Sequence, residues 1–164
     1  MKESGRKRRR LLAAALIIAL LLLSVGGYLF WKRTSPKTPP AATSLNQVRE
    51  AFKKGLNPDQ AMALARSLPE TPENADAAFL LFEYAAESGN AEAALAVGRF
   101  YDPASEGPSG SIRKNPASAY EWYKKAQAGG QKQAEKRLAD LRQWAEQKAA
   151  EGSLEAKELL ANWR

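Results

Sequence analysis

The side chains best suited to chemistry in this 164-residue chain are carboxylates, because it contains neither histidine nor cysteine. Thiolate nucleophiles, disulfides, imidazole general bases and the usual His/Cys zinc sites are excluded on that ground. Between residues 70 and 106 stand Glu70, Glu73, Asp76, Glu83, Glu87, Glu92, Asp102 and Glu106, with Arg99 the one cation among them. Two carboxylates facing each other across a cleft would suit glycoside hydrolysis. No pair of these eight is singled out by its spacing, and short helices leave little room to bury one in the apolar setting that raises a catalytic acid's pKa. The expectation is therefore no enzyme, no cofactor, no metal and no catalytic residue. Trp122 and Tyr123 could stack on a ligand, but beside Ala119 and Ala126 they read as core filler.

A second use of charge is docking. Residues 113–148 hold nine Lys/Arg against Glu121, Glu135, Asp140 and Glu146, so an acidic stretch precedes a basic one. Complementary potential of this kind steers a protein partner and fixes its orientation, although adjacent solvated helix faces would read the same way. The loop 102–114, rich in Gly, Pro and Ser, is either a partner-contacting element or a tolerated insertion. No binding residue is singled out by sequence, and neither is an oligomeric state. The formal charge of +7 is not a nucleic-acid footprint. All of it sits in residues 1–33, where eight basic residues stand against Glu3, while residues 34–164 carry 17 Lys/Arg and 17 Asp/Glu.

The elements that must position these residues begin with residues 11–31, LLAAALIIALLLLSVGGYLFW, 21 residues without a charge. At about 1.5 Å per residue such a helix spans about 30 Å of hydrocarbon. Arg6, Lys7, Arg8, Arg9 and Arg10 precede it and Lys32 and Arg33 follow. The richer cationic side stays inside, which predicts a cytoplasmic tail at 1–10 and a translocated, periplasmic C-terminal part at a bacterial inner membrane. Tyr28, Phe30 and Trp31 would sit at the far headgroups. A cleaved signal peptide ending near Gly26 is the alternative. It would make a secreted periplasmic protein acting in cell-wall processing or binding. The run continues past that point through Trp31 and no Ala-x-Ala-like site follows it, so a retained signal anchor is the expected form. Residues 32–43 form a linker, Pro- and Thr-rich from residue 34 (TSPKTPPAAT).

From residue 44 to 164 the pattern is helical throughout, with no sustained period-two alternation. Ser44 and Gln47 have capping-box spacing ahead of Leu45, Val48 and Phe52, and Gly55 closes that helix. Asn57-Pro58 opens a second helix, with Ala61, Leu64, Ala65 and Leu68 as its stripe. Helices are predicted from about Ala75 to Glu87, Ala91 to Tyr101, Asn115-Pro116 to Gly129, and Gln131 to Ala150, with a short last helix after Gly152-Ser153. Inward positions are Ala78, Leu81, Phe82 and Ala85, then Ala119, Trp122, Tyr123 and Ala126, then Ala134, Leu138, Leu141 and Ala145.

The chain also repeats. A shift of 41 residues places Ala78 on Ala119, Phe82 on Tyr123, Ala85 on Ala126, Gly89 on Gly130, Ala93 on Ala134 and Val97 on Leu138. Small residues recur where helices approach and glycine recurs where the chain turns, so one helix–turn–helix unit is written twice. Gly152, Ala156 and Leu160 repeat Gly130, Ala134 and Leu138 in a partial third copy, read as a cap.

The segment IRKNPASAYEWYKKAQAGGQKQAEKRL at 112–138 resembles the Sel-1-like repeat, a relative of the tetratricopeptide repeat. Ile112 stands for the family's Val and Asn115 for its acidic residue, with Ala119, Trp122, Tyr123, Ala126, Gly130, Ala134 and Leu138 in place. The upstream copy at 77–101 matches through Ala78, Phe82, Ala85, Ala86, Gly89, Ala93, Val97, Gly98 and Tyr101. The departures are a period stretched to 41 by the loop before Ile112, a Gly107-Pro108-Ser109-Gly110-Ser111 turn, and Leu138-Ala139 without the expected glycine. The resemblance implies an all-α, membrane-anchored short solenoid, with units about 77–114 and 115–150 and a cap at 151–164. Its partner would be a protein or peptide held on the concave face. Family members in bacterial envelopes serve assembly, secretion and signalling complexes.

Overall fold

The computed structural model describes residues 41–163, all within the second of the two units into which the chain divides, Met1–Thr38 and Pro39–Arg164. The expected tail at 1–10, membrane helix at 11–31 and most of the linker lie outside the described residues. No helix among the described residues is long and apolar enough to cross a membrane. These residues are all-α, with seven helices and no strand: α1 (Ala41–Lys53), α2 (Pro58–Ser67), α3 (Pro72–Glu87), α4 (Ala91–Tyr101), α5 (Pro116–Ala128), α6 (Gln133–Ala150) and α7 (Leu154–Ala161). The arrangement is compatible with an α-solenoid.

Local chemistry starts most of these helices. Asn57 and Gln60 form a reciprocal capping box: the Gln60 N–H donates to Asn57 Oδ1 at 2.9 Å, and the Asn57 N–H donates to Gln60 Oε1 at 3.1 Å. Asn90 accepts from the Ala93 N–H and Asn115 from the Ser118 N–H, each at 2.9 Å. Pro58, Pro72 and Pro116 occupy first-turn positions, where a missing N–H costs nothing. The hairpin turns share one ending. At Gly89 and Gly130 the glycine N–H donates to the carbonyl three residues back, and the next N–H donates five back, to Ala85 and Ala126. Gly89 and Gly130 hold φ of +95° and +85°, where a side chain would be strained. The same pair of bonds closes α1 at Gly55 and α6 at Gly152.

The 41-residue correspondence is matched in burial at some positions and not at others: Ala78 and Phe82 are half-buried where Ala119 and Tyr123 are fully buried. Ala85 and Ala126, and likewise Ala93 and Ala134, are fully buried at the helix crossings, and Val97 and Leu138 are buried beside them. Two apolar clusters result. One joins α1, α2 and α3 through Val48, Ala61, Ala65, Ala77 and Leu81, and the other runs from Met62 and Phe79 through α4, α5 and α6 to Leu159 of α7. Each large apolar side chain buried in this way contributes about 1.5–3 kcal/mol.

The tightest packing lies between hairpins, at the α4–α5 pair. Two glycines allow it. A Cβ on Gly98 would stand 2.4 Å from Tyr123 Cε1, and one on Gly129 would stand 2.3 Å from the Ala91 Cβ.

Several expectations need correction. Ser44 is not a cap: α1 already runs from Ala41, a stretch opened by two strong helix formers, and Ser44 lies inside it, buried. Residues 41–43, expected as the end of the linker, are the first residues of α1. Helix α3 starts at Pro72 rather than about Ala75, because Thr71-Pro72 supplies the N-terminal turn, and α6 starts at Gln133 rather than Gln131. Phe52 is 37% exposed and packs edge-on against Tyr84. Ala78, Phe82 and Trp122 are half-buried, while Met62, Phe79 and Tyr120 take core places that the periodic reading passed over. Where a partial third copy is expected, Ala156 is fully buried, but Leu159 rather than Leu160 fills the core, one residue off the expected register.

Candidate functional site: a groove along the second helices

The second helix of each hairpin, α2, α4 and α6, contributes to one concave groove of about 350 Å³, completed by residues 68–71, by α3 from Asn74 to Phe82 and by the loop at 105–108. This volume falls at the low end of ligand pockets, about 300–1,000 Å³. Met62, Ala65, Ala78, Phe82 and Leu95 supply apolar lining, and each of the three second helices sends in one arginine: Arg66, Arg99 and Arg137.

The three cations are neutralised unequally. Arg66 Nε donates to Glu92 Oε1 at 3.1 Å and Nη2 donates to Glu92 Oε2, a two-pronged pair. Arg99 Nη1 stands 3.9 Å from Glu70 Oε1, beyond hydrogen-bond reach, and the Arg99 Nε is buried without a hydrogen-bond partner. Arg137 makes no ion pair or hydrogen bond within the described residues.

Behind the groove sits a buried polar pair. The Tyr123 hydroxyl donates to Asp102 Oδ2 at 2.8 Å, and the Ala104 N–H donates to Asp102 Oδ1 at 2.8 Å, with both Tyr123 and Asp102 at 0% exposure. Burial raises the Tyr123 pKa well above that of a free phenol. The Asp102 charge and hydrogen bond add to the rise, while Arg137 and Arg99 oppose it. Lys114 is pushed below the usual lysine range, chiefly by burial, with Asp102 opposing and Arg99 assisting.

The loop 102–114 is a built wall. Its start is tied by Asp102 to α5, its end by the Asn115 N–H donating to the Tyr101 carbonyl at 2.8 Å. Its middle is tied by the Ser111 N–H donating to Asp76 Oδ1 at 2.7 Å. Gly110, at φ +58°, rests so close to Asp76 that a Cβ there would stand 2.1 Å from Oδ1. Asp76→Ala is therefore expected to leave α5 and α6 intact while releasing the wall, at a cost of about 1.5–3 kcal/mol for the lost charge-assisted bond. Hydrogen exchange at Ser111 and Ile112 should accelerate with no change at Ala126 or Leu138; unchanged exchange at Ser111 would refute the tie.

The sequence singled out none of the groove arginines. It treated the acidic stretch as one potential face, yet the structure divides it: Asp102 is buried, Asp76 holds the loop, and Glu70 and Glu92 face groove arginines. Trp122 and Tyr123 are separated as well. Tyr123 is core, whereas half-buried Trp122, with Lys125 Nζ 3.9 Å from its ring centre, edges a wider and more open concavity on α5 and α7. Among the described residues no group of three or more carboxylates is placed to hold a metal ion. No signal in the sequence links the arginines: a 41-residue shift carries Arg137 onto Ala96, one turn from Arg99. Compared with known proteins, the chain matches no family model, no curated protein and no solved structure.

Proposed function

We propose that this protein is a membrane-tethered, single-pass scaffold whose helical domain, a short Sel-1-like solenoid, binds a protein or peptide partner and catalyses no reaction. In this reading residues 11–31 are a retained anchor with the N-terminus cytoplasmic, and the domain works on the extracytoplasmic side of a bacterial inner membrane. The observation that carries the binding role is the groove, built from successive second helices and mixing apolar lining with arginines that are only partly neutralised. Support for the repeat comes from matched burial of Ala85 with Ala126 and Ala93 with Ala134 around equivalent glycine turns. Support for the anchor is the 21-residue uncharged run with five cations before it and two after. Tethering raises the effective concentration of the domain for partners at the same bilayer.

A photo-crosslinking amino acid placed at Gln133, exposed on the groove rim, tests this in cells against the same probe at Lys157, exposed on α7. A discrete adduct from membranes at 133 alone, identified by mass spectrometry, is the expected result; identical patterns at both positions would defeat the groove. Intact mass from the membrane fraction should retain residues 1–31. A soluble product starting near residue 27 would replace the anchor with a secreted periplasmic protein, and turnover of cell-wall glycan by that product would overturn the non-catalytic assignment.

A further inference from the structure

We propose that the groove takes an extended acidic peptide segment, with carboxylates engaging Arg99 and Arg137 and apolar side chains between them settling on Met62, Phe82 and Leu95. The inference rests on the scaffold reading and adds the chemical class of the partner. Its first support is charge. Three guanidiniums enter one small groove from three different helices, against the two carboxylates of Glu70 and Glu92. Arg66 is already paired with Glu92, so the donors open to a ligand are those of Arg137 and the terminal nitrogens of Arg99, whose Nε is buried.

The second support is proximity. Arg99 and Arg137 line the same groove, entering it from α4 and α6. Like charges held together by helix packing gain most from an anion placed between them. Asp102 supplies one negative charge from behind, but it is fully buried and already committed to Tyr123 and Ala104, so the solvent side stays cationic. Guanidinium groups match carboxylates in two-pronged geometry, which favours a carboxylate-bearing segment over a neutral one.

The third support is the neighbouring Glu70. It is exposed, and its 3.9 Å approach to Arg99 is a loose ion pair that an incoming carboxylate can displace. Glu70 thus acts as a weak internal competitor. Removing it should strengthen binding, an outcome that damage to the fold does not produce.

The test uses full-length protein in detergent and a fluorescent hexapeptide of alternating Glu and Leu, read by anisotropy beside its Gln-Leu and Lys-Leu counterparts. The Glu-Leu peptide should bind in preference to both. Arg99→Gln and Arg137→Gln should each weaken it about five- to tenfold. Arg142→Gln, which breaks an exposed pair with Glu146 away from the groove, should leave it unchanged, and Glu70→Gln should tighten it about two- to fivefold. Thermal melts of the arginine variants matching the parent protein assign the losses to the groove. Equal binding of the Gln-Leu peptide, insensitivity to both arginine changes, or displacement of the peptide by inorganic polyphosphate at equal charge would overturn the acidic-peptide assignment. In that event a partner still crosslinked at Gln133 in cells preserves the scaffold reading, whereas loss of that adduct as well removes both.

Discussion

Tyr123→Ala is expected to lower the unfolding free energy by about 3–5 kcal/mol, the range for removing a large buried aromatic side chain. The ring fills the space against Gly98 at 0% exposure, so its loss opens a cavity between two hairpins rather than at the edge of one. Its hydroxyl carries a second share. Without it Asp102, also at 0% exposure, loses the 2.8 Å bond to Oδ2 and keeps only the Ala104 N–H on its other oxygen. Tyr123→Phe isolates that share and should cost about 1.5–3 kcal/mol, as expected for a hydrogen bond to a charged group. The measurement is the urea midpoint of the parent and both variants in the same detergent. A Phe variant as stable as the parent would mean that the Asp102–Tyr123 bond contributes nothing net.

The second large effect comes from adding atoms. Gly98→Val places a Cβ 2.4 Å and 2.5 Å from Tyr123 Cε1 and Cδ1, and two methyl groups beyond it, inside a contact that has no slack. Overpacking of this kind typically costs about 1–3 kcal/mol. Because the clash is with one ring, the effect should be coupled to it. The double variant Gly98→Val/Tyr123→Leu should be more stable than the sum of the two single losses by about 0.5–3 kcal/mol. Strict additivity in thermal or urea melts would show that Gly98 matters for a reason other than its approach to Tyr123.

Much of this architecture was legible in the chain because local chemistry writes it. Asn57-Pro58 and Asn115-Pro116 announce helix starts through a cap and a fixed φ, and Gly89, Gly130 and Gly152 announce stops through a backbone conformation that few other residues adopt. The inward alanines were readable because close helix crossings admit little else. Ser44 misled because capping spacing does not distinguish a helix start from a polar residue that the helix runs through. Trp122 misled because the stripe of α5 is wider than its core contact, and Tyr120, its ring centre 4.7 Å from that of Trp163 in a tilted pair, takes part of that burial. Asp102 was unreadable as a buried group because its partner lies 21 residues away, and a Pro/Ser-rich loop ordinarily keeps its carboxylates in water. The groove was invisible for the same reason. Arg66, Arg99 and Arg137 meet only through the stacking of α2, α4 and α6, a tertiary event that no local period encodes.

The α4–α5 seam sets where the domain can be divided. Glycine turns join the helices within each hairpin, yet the closest interlocking falls between the hairpins α3–α4 and α5–α6, where Gly98 and Gly129 remove the spacing that side chains would impose. The interlocked helix pair is thus offset by one helix from the glycine-turned hairpins. A cut within the 102–114 crossover would sever that interlocked seam, whereas a break at the Gly89 turn spares it. Swapping or transplanting pieces of this protein should therefore follow the interlock, carrying α4 with α5, rather than the boundaries that the hairpins draw.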